Sequence, residues 1–238
     1  VAEDVKSTGR LAGLVYLLMA FPGALSILYV PGRLFVDGDA QVTFDNISSS
    51  LSLLRLGIAS GLVQQILFLA LPFLLFPILA RHGQFAARVM VAFVIVGVAL
   101  YFSAMAHLYA IIPLVGGEST LAGEPAIQAM KYVESYQVNL RFASIFWGLW
   151  LVPFGYLVLV GAAIPRVIGL FLILGGIGYL LEFFVPLLLP GFPAQVAITA
   201  LAGVASVVGE MGAALWLLIN GVRTSSDRSA STSSPTTD

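Results

Sequence analysis

Long apolar runs, broken by short polar or proline–glycine segments, set the pattern of this chain. Six such runs stand out, at roughly residues 11–30, 51–79, 85–115, 129–163, 167–189 and 195–222. Each can cross a hydrocarbon layer as a helix, which takes about 20 apolar residues. None alternates apolar and polar positions, and all far exceed a barrel strand in length, so a β-barrel is not expected. The breaks carry turn chemistry. Pro31-Gly32-Arg33 is expected to end the first run, and Arg81-His82-Gly83-Gln84 to turn the second into the third. Gly116-Gly117-Glu118 and Gly123-Glu124-Pro125 frame a polar loop before the fourth, while Ile164-Pro165-Arg166 and Pro190-Gly191-Phe192-Pro193 make the last two breaks. The pattern predicts an all-α, polytopic integral membrane helical bundle. Residues 1–10 form its N-terminal segment, 11–222 the transmembrane domain, and 223–238 a Ser/Thr/Asp/Pro tail too polar to fold.

Composition sharpens the class. Of the 238 residues, 59% are hydrophobic and 10% charged, against about 25% charged in an ordinary soluble domain. A water-soluble globule of this size could not hide so much apolar surface. The net charge of −1 offers no basic field, so no nucleic-acid partner is expected. Without cysteine there is no disulfide, thiolate metal site or cysteine nucleophile. The expected partner is the lipid bilayer of the cell membrane. Lys6, Arg10, Arg81, Arg88, Arg166, Arg223 and Arg228 would lie on one side of it. The other side would hold Arg33, Arg55, Lys131 and Arg141 together with Asp37, Asp39, Asp45, Glu118, Glu124 and Glu134. By the positive-inside rule both termini are then cytoplasmic. The first run is too long for a signal-peptide core and lacks a small-residue cleavage site, so it is read as a membrane helix.

Ionisable groups inside such runs cost several kcal/mol and ask for a partner or a purpose. Thr199, Gly203, Ser206 and Glu210 recur at helical spacing and share a face, with Glu210 near the middle of the last run. Gly175, Gly178 and Glu182 share a face of the fifth run, and Glu134, Gln137, Arg141, Ser144 and Gly148 one of the fourth. His107 lies with Ser103, and Gln64 with Gly57 and Ser60, while Arg55 sits near the outer end of the second run. With the termini inside, Arg55, His107, Glu134, Arg141 and Glu182 fall in the outer half. At about 1.5 Å per residue, Glu182 and Glu210 on antiparallel neighbours differ in depth by roughly 10 Å. A polar cavity floored by Glu210 is expected. The plainer reading is that these groups only bond helix to helix.

Most of the 27 aromatic residues belong at the lipid interface. Tyr101, Trp147, Trp150 and Tyr179 lie beside the polar stripes, and an aromatic cavity holding a carboxyl group suits an apolar substrate that passes through a cation. His82 and His107 make no clustered ligand set, so neither metal nor cofactor is expected. Gly57-x-x-x-Gly61 and Gly169, Gly175, Gly176 and Gly178 permit close helix approach, and Pro72, Pro77, Pro153 and Pro186 are expected to kink their helices.

Several stretches also resemble a known family. They are Arg55-Leu-Gly-Ile-Ala-Ser-Gly61, Ile164-Pro-Arg-Val-Ile-Gly169 running on to Gly178-Tyr-Leu-Leu-Glu182, Val208-Gly-Glu-Met-Gly-Ala-Ala-Leu-Trp216, and Gly38-Asp-Ala. Over about residues 10–222 the chain resembles the bacterial membrane family described as domain of unknown function 4386. That resemblance implies a compact membrane bundle, with Arg55, Arg166, Glu182 and Glu210 in a shared framework, and no activity. Family members often carry histidine where this chain has Tyr136 and Trp150, which makes this interior less basic and richer in π faces.

Three functions are compatible with these features. The preferred one is a cofactor-free membrane enzyme that cyclises or isomerises an isoprenoid- or polyketide-like molecule, with Glu182 or Glu210 as the acid. Arg55, Gln64, Tyr101, His107, Arg141, Trp147, Trp150 and Tyr179 would then line the substrate site. The same carboxyl groups would serve a proton-coupled transporter or resistance protein, in which a homodimer would supply alternating access. In the third reading the chain is a non-catalytic sensor or partner subunit whose charges serve packing.

Overall fold

The computed structural model describes residues 2–117, 123–161 and 163–222. Glu118, Arg223, Arg228 and the tail expected to be disordered therefore lie outside the described residues. No strand occurs among those described. Six helical stretches are long and apolar enough to cross a membrane: Val5–Leu34, Leu51–Leu79, Gln84–Val115, Pro125–Gly161, Arg166–Leu188 and Gln195–Asn220.

The first stretch departs from expectation. Helix α1 (Ala2–Ala24) continues through a π-helical segment, Leu25–Tyr29, into α2 (Val30–Leu34), so Pro31-Gly32-Arg33 does not end it. The reason is local. The Val30 amide bonds the Leu25 carbonyl, five residues back, and Pro31 takes one of the first positions of the new turn. A proline lacks only a bond that such a position leaves open anyway. A short helix α3 (Ala40–Ser49) then occupies a stretch expected to be loop. Asp39 caps it, its Oδ1 accepting the Val42 amide at 3.0 Å, and Thr43 and Ile47, one turn apart, are its buried face.

Helix α4 (Leu51–Leu79) matches the expected run and holds Pro72 and Pro77 internally. Helix α5 (Gln84–Tyr109) is followed by the single turn α6 (Ile112–Val115). Helix α7 (Pro125–Gly161) begins four residues earlier than expected because Pro125 preorganises its first turn. Helices α8 (Arg166–Leu188) and α9 (Gln195–Asn220) complete the chain. Arg166 donates Nε–H to the Leu159 carbonyl at 3.2 Å, answering one of the carbonyls that the end of α7 leaves open.

Two compact units divide the chain. The first comprises Val1–Leu17, Ala70–Val94 and Trp147–Asp238. Its helices meet on glycine. Gly148 of α7 and Gly176 of α8 oppose each other so closely that a Cβ on either would lie 2.6–2.7 Å from the other's carbonyl oxygen. Gly155 and Gly169 repeat the arrangement seven residues further along α7 and seven residues back along α8. The adjacent face of α8 packs on α9, with Gly175 against Ser206 and Gly178 against Ala202. Gly13 brings α1 onto α9 at Ala214 and Leu217. Apolar helices gain nothing from hiding in an apolar solvent, so such close backbone contact is what holds them.

The second unit comprises Leu18–Leu69 and Ile95–Phe146. Gly57 of α4 packs on Val30 of α2, and α3 rests against α2 and α6. Leu34, Ile47, Leu54 and Ala104 are among its fully enclosed residues. Large apolar side chains remain uncovered in both units, including Phe21 (76% exposed), Phe85 (81%) and Leu201 (72%). Water would not tolerate so much apolar surface, and a bilayer would.

Candidate functional site

The first unit gathers a carboxyl group and aromatic rings. Glu210, on α9, is half-buried, and Tyr16, on α1, donates its phenol hydrogen to Glu210 Oε2 at 2.8 Å. Tyr16 is almost completely enclosed, and its ring centroid lies 6.0 Å from that of Trp150. Trp150 stacks on Phe154 at 5.3 Å. Tyr179, on α8, lies within electrostatic reach of Glu210, Glu182 and Tyr16. Trp147 meets Tyr179 edge-on at 6.5 Å. The glycine contact of Gly148 with Gly176 sits directly beside these rings, because Tyr179 Cβ would be 2.7 Å from a Cβ at position 148. Glycine at 148 thus lets Trp147, Trp150 and Tyr179 converge. Chemically the cluster is a proton donor or acceptor with one oxygen held by a phenol, beside electron-rich faces able to stabilise a positive charge.

Of the expected site residues, Glu210, Trp147, Trp150 and Tyr179 come together in this cluster. Glu182, expected inside, is exposed. The small-residue face of α9 also divides. Ser206 is buried on Gly175 and bonds the Ala202 carbonyl of its own helix, whereas Gly203 faces open space.

The remaining expected residues belong to the second unit. Arg55 and Arg141 are exposed there, as long cationic side chains near a membrane surface commonly are. His107 is half-buried, with Nε2 3.2 Å from Asn139 Nδ2. An amide nitrogen only donates, so Nε2 accepts this bond. Asn139 also donates to the Ser135 carbonyl, and the His107 ring lies 6.4 Å from that of Tyr132. Gln64 and Tyr101 belong to a separate buried polar group. Ser26 and Tyr101 share a hydrogen bond of 2.9 Å, and Gln65 donates Nε2–H to Gln64 Oε1 at 2.8 Å.

Tyr16, Ser26, Gln65 and Asn139 were not singled out by sequence. One signal for Tyr16 was present: Gly9, Gly13 and Tyr16 share a helical face, and a glycine face marks where a neighbour comes close. Gln65 directly follows Gln64, and two consecutive glutamines in an apolar run already ask for an interior polar partner.

The family model described as Domain of unknown function (DUF4386) matches residues 11–221. The chain belongs to this family. Neither the curated proteins nor the solved structures gave a match. The match spans all six candidate membrane helices of this DUF4386 protein, which is a multi-pass membrane protein. Arg166 and Glu210 have distinct tasks in this chain: one closes the end of α7, the other holds the phenol of α1. Among the described residues no three His, Asp or Glu side chains gather in a metal-binding group.

Proposed function

We propose that this DUF4386 protein is a cofactor-free membrane enzyme that isomerises or cyclises an apolar, olefinic small molecule, with Glu210 as its acid. The reading rests on one observation, the Tyr16–Glu210 hydrogen bond beside the rings of Trp150, Tyr179 and Trp147. In the proposed step, the proton of Glu210 Oε1 passes to an olefinic carbon. A C–H bond forms as the π bond breaks, leaving a carbocation. The aromatic faces stabilise that cation, and the Tyr16 hydroxyl, bonded to Oε2, holds the charge left on the carboxylate. Loss of a proton from the neighbouring carbon back to Glu210 moves the double bond. Attack by a second π bond before that loss closes a ring. Atoms balance without a cofactor. In this reading both termini are cytoplasmic, which the distribution of Lys and Arg supports.

Squalene serves as an olefin probe. The full chain in lipid nanodiscs is incubated with squalene in D2O, and mass spectrometry follows deuterium that enters C–H positions. The wild type is expected to load deuterium, Glu210→Gln to lose at least tenfold in rate, and Glu182→Gln to match the wild type. Equal loading by wild type and Glu210→Gln would overturn the acid role.

A transport reading also has an observation in its favour. Glu210 is half-buried rather than sealed, so a cationic amphiphile could reach it. Uptake of a lipophilic amine into proteoliposomes that depends on Glu210, with no deuterium loading on squalene, would replace the enzymatic reading with this one.

A further inference from the structure

The first unit gathers positive charge at one end, and its helix contacts bring that charge together. Gly9 of α1 meets Val222, and Gly13 meets Ala214 and Leu217, so α1 starts where α9 finishes. The glycine contacts of α8 with α7 and with α9 are antiparallel, so α8 starts where both of those helices finish. The turn before α5 belongs to the same end. The His82 ring lies on Gly161, its nearest atom 2.6 Å from a Cβ at that position, and Gly83 meets Leu157. Lys6, Arg10, Arg81, His82, Arg88 and Arg166 therefore share one end of the unit. Among the described residues the acidic ones at that end are Glu3 and Asp4, in the first turn of α1. Glu210 stands about 15 Å along α9 from Asn220, and Glu182 about 24 Å along α8 from Arg166.

These cations are not equally occupied. Arg10 donates Nη2–H to the Ile219 carbonyl at 3.4 Å and Arg166 serves the Leu159 carbonyl, so each answers the end of a helix. Arg81 and Arg88 are exposed, and among the described residues their side chains make no hydrogen bond or ion pair. Residues 70–94, which carry both, contain no Asp or Glu. Phe85 lies one turn before Arg88 on the same face of α5 and is 81% exposed. Tyr156, beside Gly83, is exposed as well. Open aromatic rings next to unanswered guanidinium groups, at the end of a membrane span, fit the level where acyl chains meet headgroups. Charge complementarity then selects the headgroup. A phosphodiester without a cation of its own attracts a guanidinium, whereas a choline headgroup carries its own compensating charge. We propose that Arg81 and Arg88, with the exposed ring of Phe85, form a docking surface for anionic phospholipid. Each arginine can meet its own lipid, so no single molecule has to span them. The proposal does not depend on the Glu210 reading.

The test titrates the delipidated full chain, in an uncharged detergent, with phosphatidylglycerol, phosphatidylcholine or inorganic phosphate, and reads the melting temperature. Saturating phosphatidylglycerol is expected to raise it on the order of 5 °C, and the other two to leave it unmoved. The double variant Arg81→Gln with Arg88→Gln should need about thirtyfold more phosphatidylglycerol for half the shift, the effect of two cations near an anionic surface. A second double variant, Arg55→Gln with Arg141→Gln, removes the same charge from exposed positions of the second unit and should titrate like wild type. If the first double variant does not fold, the single variants, each expected to need about fivefold more lipid, replace it. The comparison of the two lipids on wild type decides independently of any variant. Equal shifts from both lipids, or none from phosphatidylglycerol, would overturn the proposal. So would a phosphate shift that matches phosphatidylglycerol, which would make the ligand a free anion. Equal losses in the two double variants would reduce the effect to net charge and overturn it too.

Discussion

The two polar clusters differ in how their hydrogen bonds are answered. In the first unit the Tyr16 phenol ends on Glu210, and the carboxyl keeps its other oxygen for whatever reaches it. In the second, Gln65 Oε1 and the Tyr136 hydroxyl have no partner at all. A satisfied pair in an apolar surrounding fixes helices and positions a reactive group. Unsatisfied groups cost stability until something else meets them. Burial of polar residues is therefore an incomplete guide in a membrane span. What each polar atom still lacks separates a group that is paired from one that is left unanswered.

The largest test removes the scaffold of the first cluster while leaving the polar atoms of the second untouched. Gly176→Val places a branched side chain where a Cβ would already lie 2.7 Å from the Gly148 carbonyl oxygen. Helices α7 and α8 must separate, with a destabilisation of about 3 kcal/mol or more. Thermal melting followed by tryptophan fluorescence should register it. A melting temperature like that of wild type would show that the glycine contact does not hold the cluster. A smaller change acts on the hydrogen bond itself. Tyr16→Phe should cost about 1 kcal/mol, since it strips the Glu210 oxygen of its donor. A double-mutant cycle with Glu210→Leu, which removes the acceptor, should give a coupling of about 0.6 kcal/mol, the average for bonds between membrane helices, and no more than about 1.7 kcal/mol. Zero coupling would mean that the pair does not act together.

Sequence carried the architecture because it depends on an average. Any helix of sufficient length and hydropathy spans, whichever way its faces point, and all six stretches follow from that alone. Pro31 misled because proline stops a helix only where its missing amide is needed, and a π-helical segment just before it starts a fresh turn. The site was harder to read. Helical spacing grouped Gly175 and Gly178 on one face, which the structure packs on α9 at Ser206 and Ala202, but spacing does not say how far along that face a neighbour reaches. Glu182, one turn further, is exposed for that reason. Glu210 stood out because a charge in an apolar run is conspicuous. Its donor Tyr16 did not, because a tyrosine there reads equally well as a lipid-interface residue.

The smallest effects sharpen the comparison most, because they repeat one chemical change in the two settings. In protein stripped of bound lipid, Tyr136→Phe should change stability by no more than about 0.5 kcal/mol, and in the stabilising direction, because the lost hydroxyl had no partner to leave behind. The same exchange at Tyr16 destabilises. If Tyr136→Phe costs as much as Tyr16→Phe, the Tyr136 hydroxyl is already satisfied and the contrast between the clusters collapses. Glu182→Gln comes last. Its side chain is exposed and meets Tyr179 only through electrostatic reach, so losing its charge removes no packed contact. Melting and squalene deuteration should both stay at wild-type values. Slower deuteration with unchanged melting would assign Glu182 a part in the chemistry, and the acid of the first cluster would then be a pair of carboxyl groups sharing Tyr179 between them.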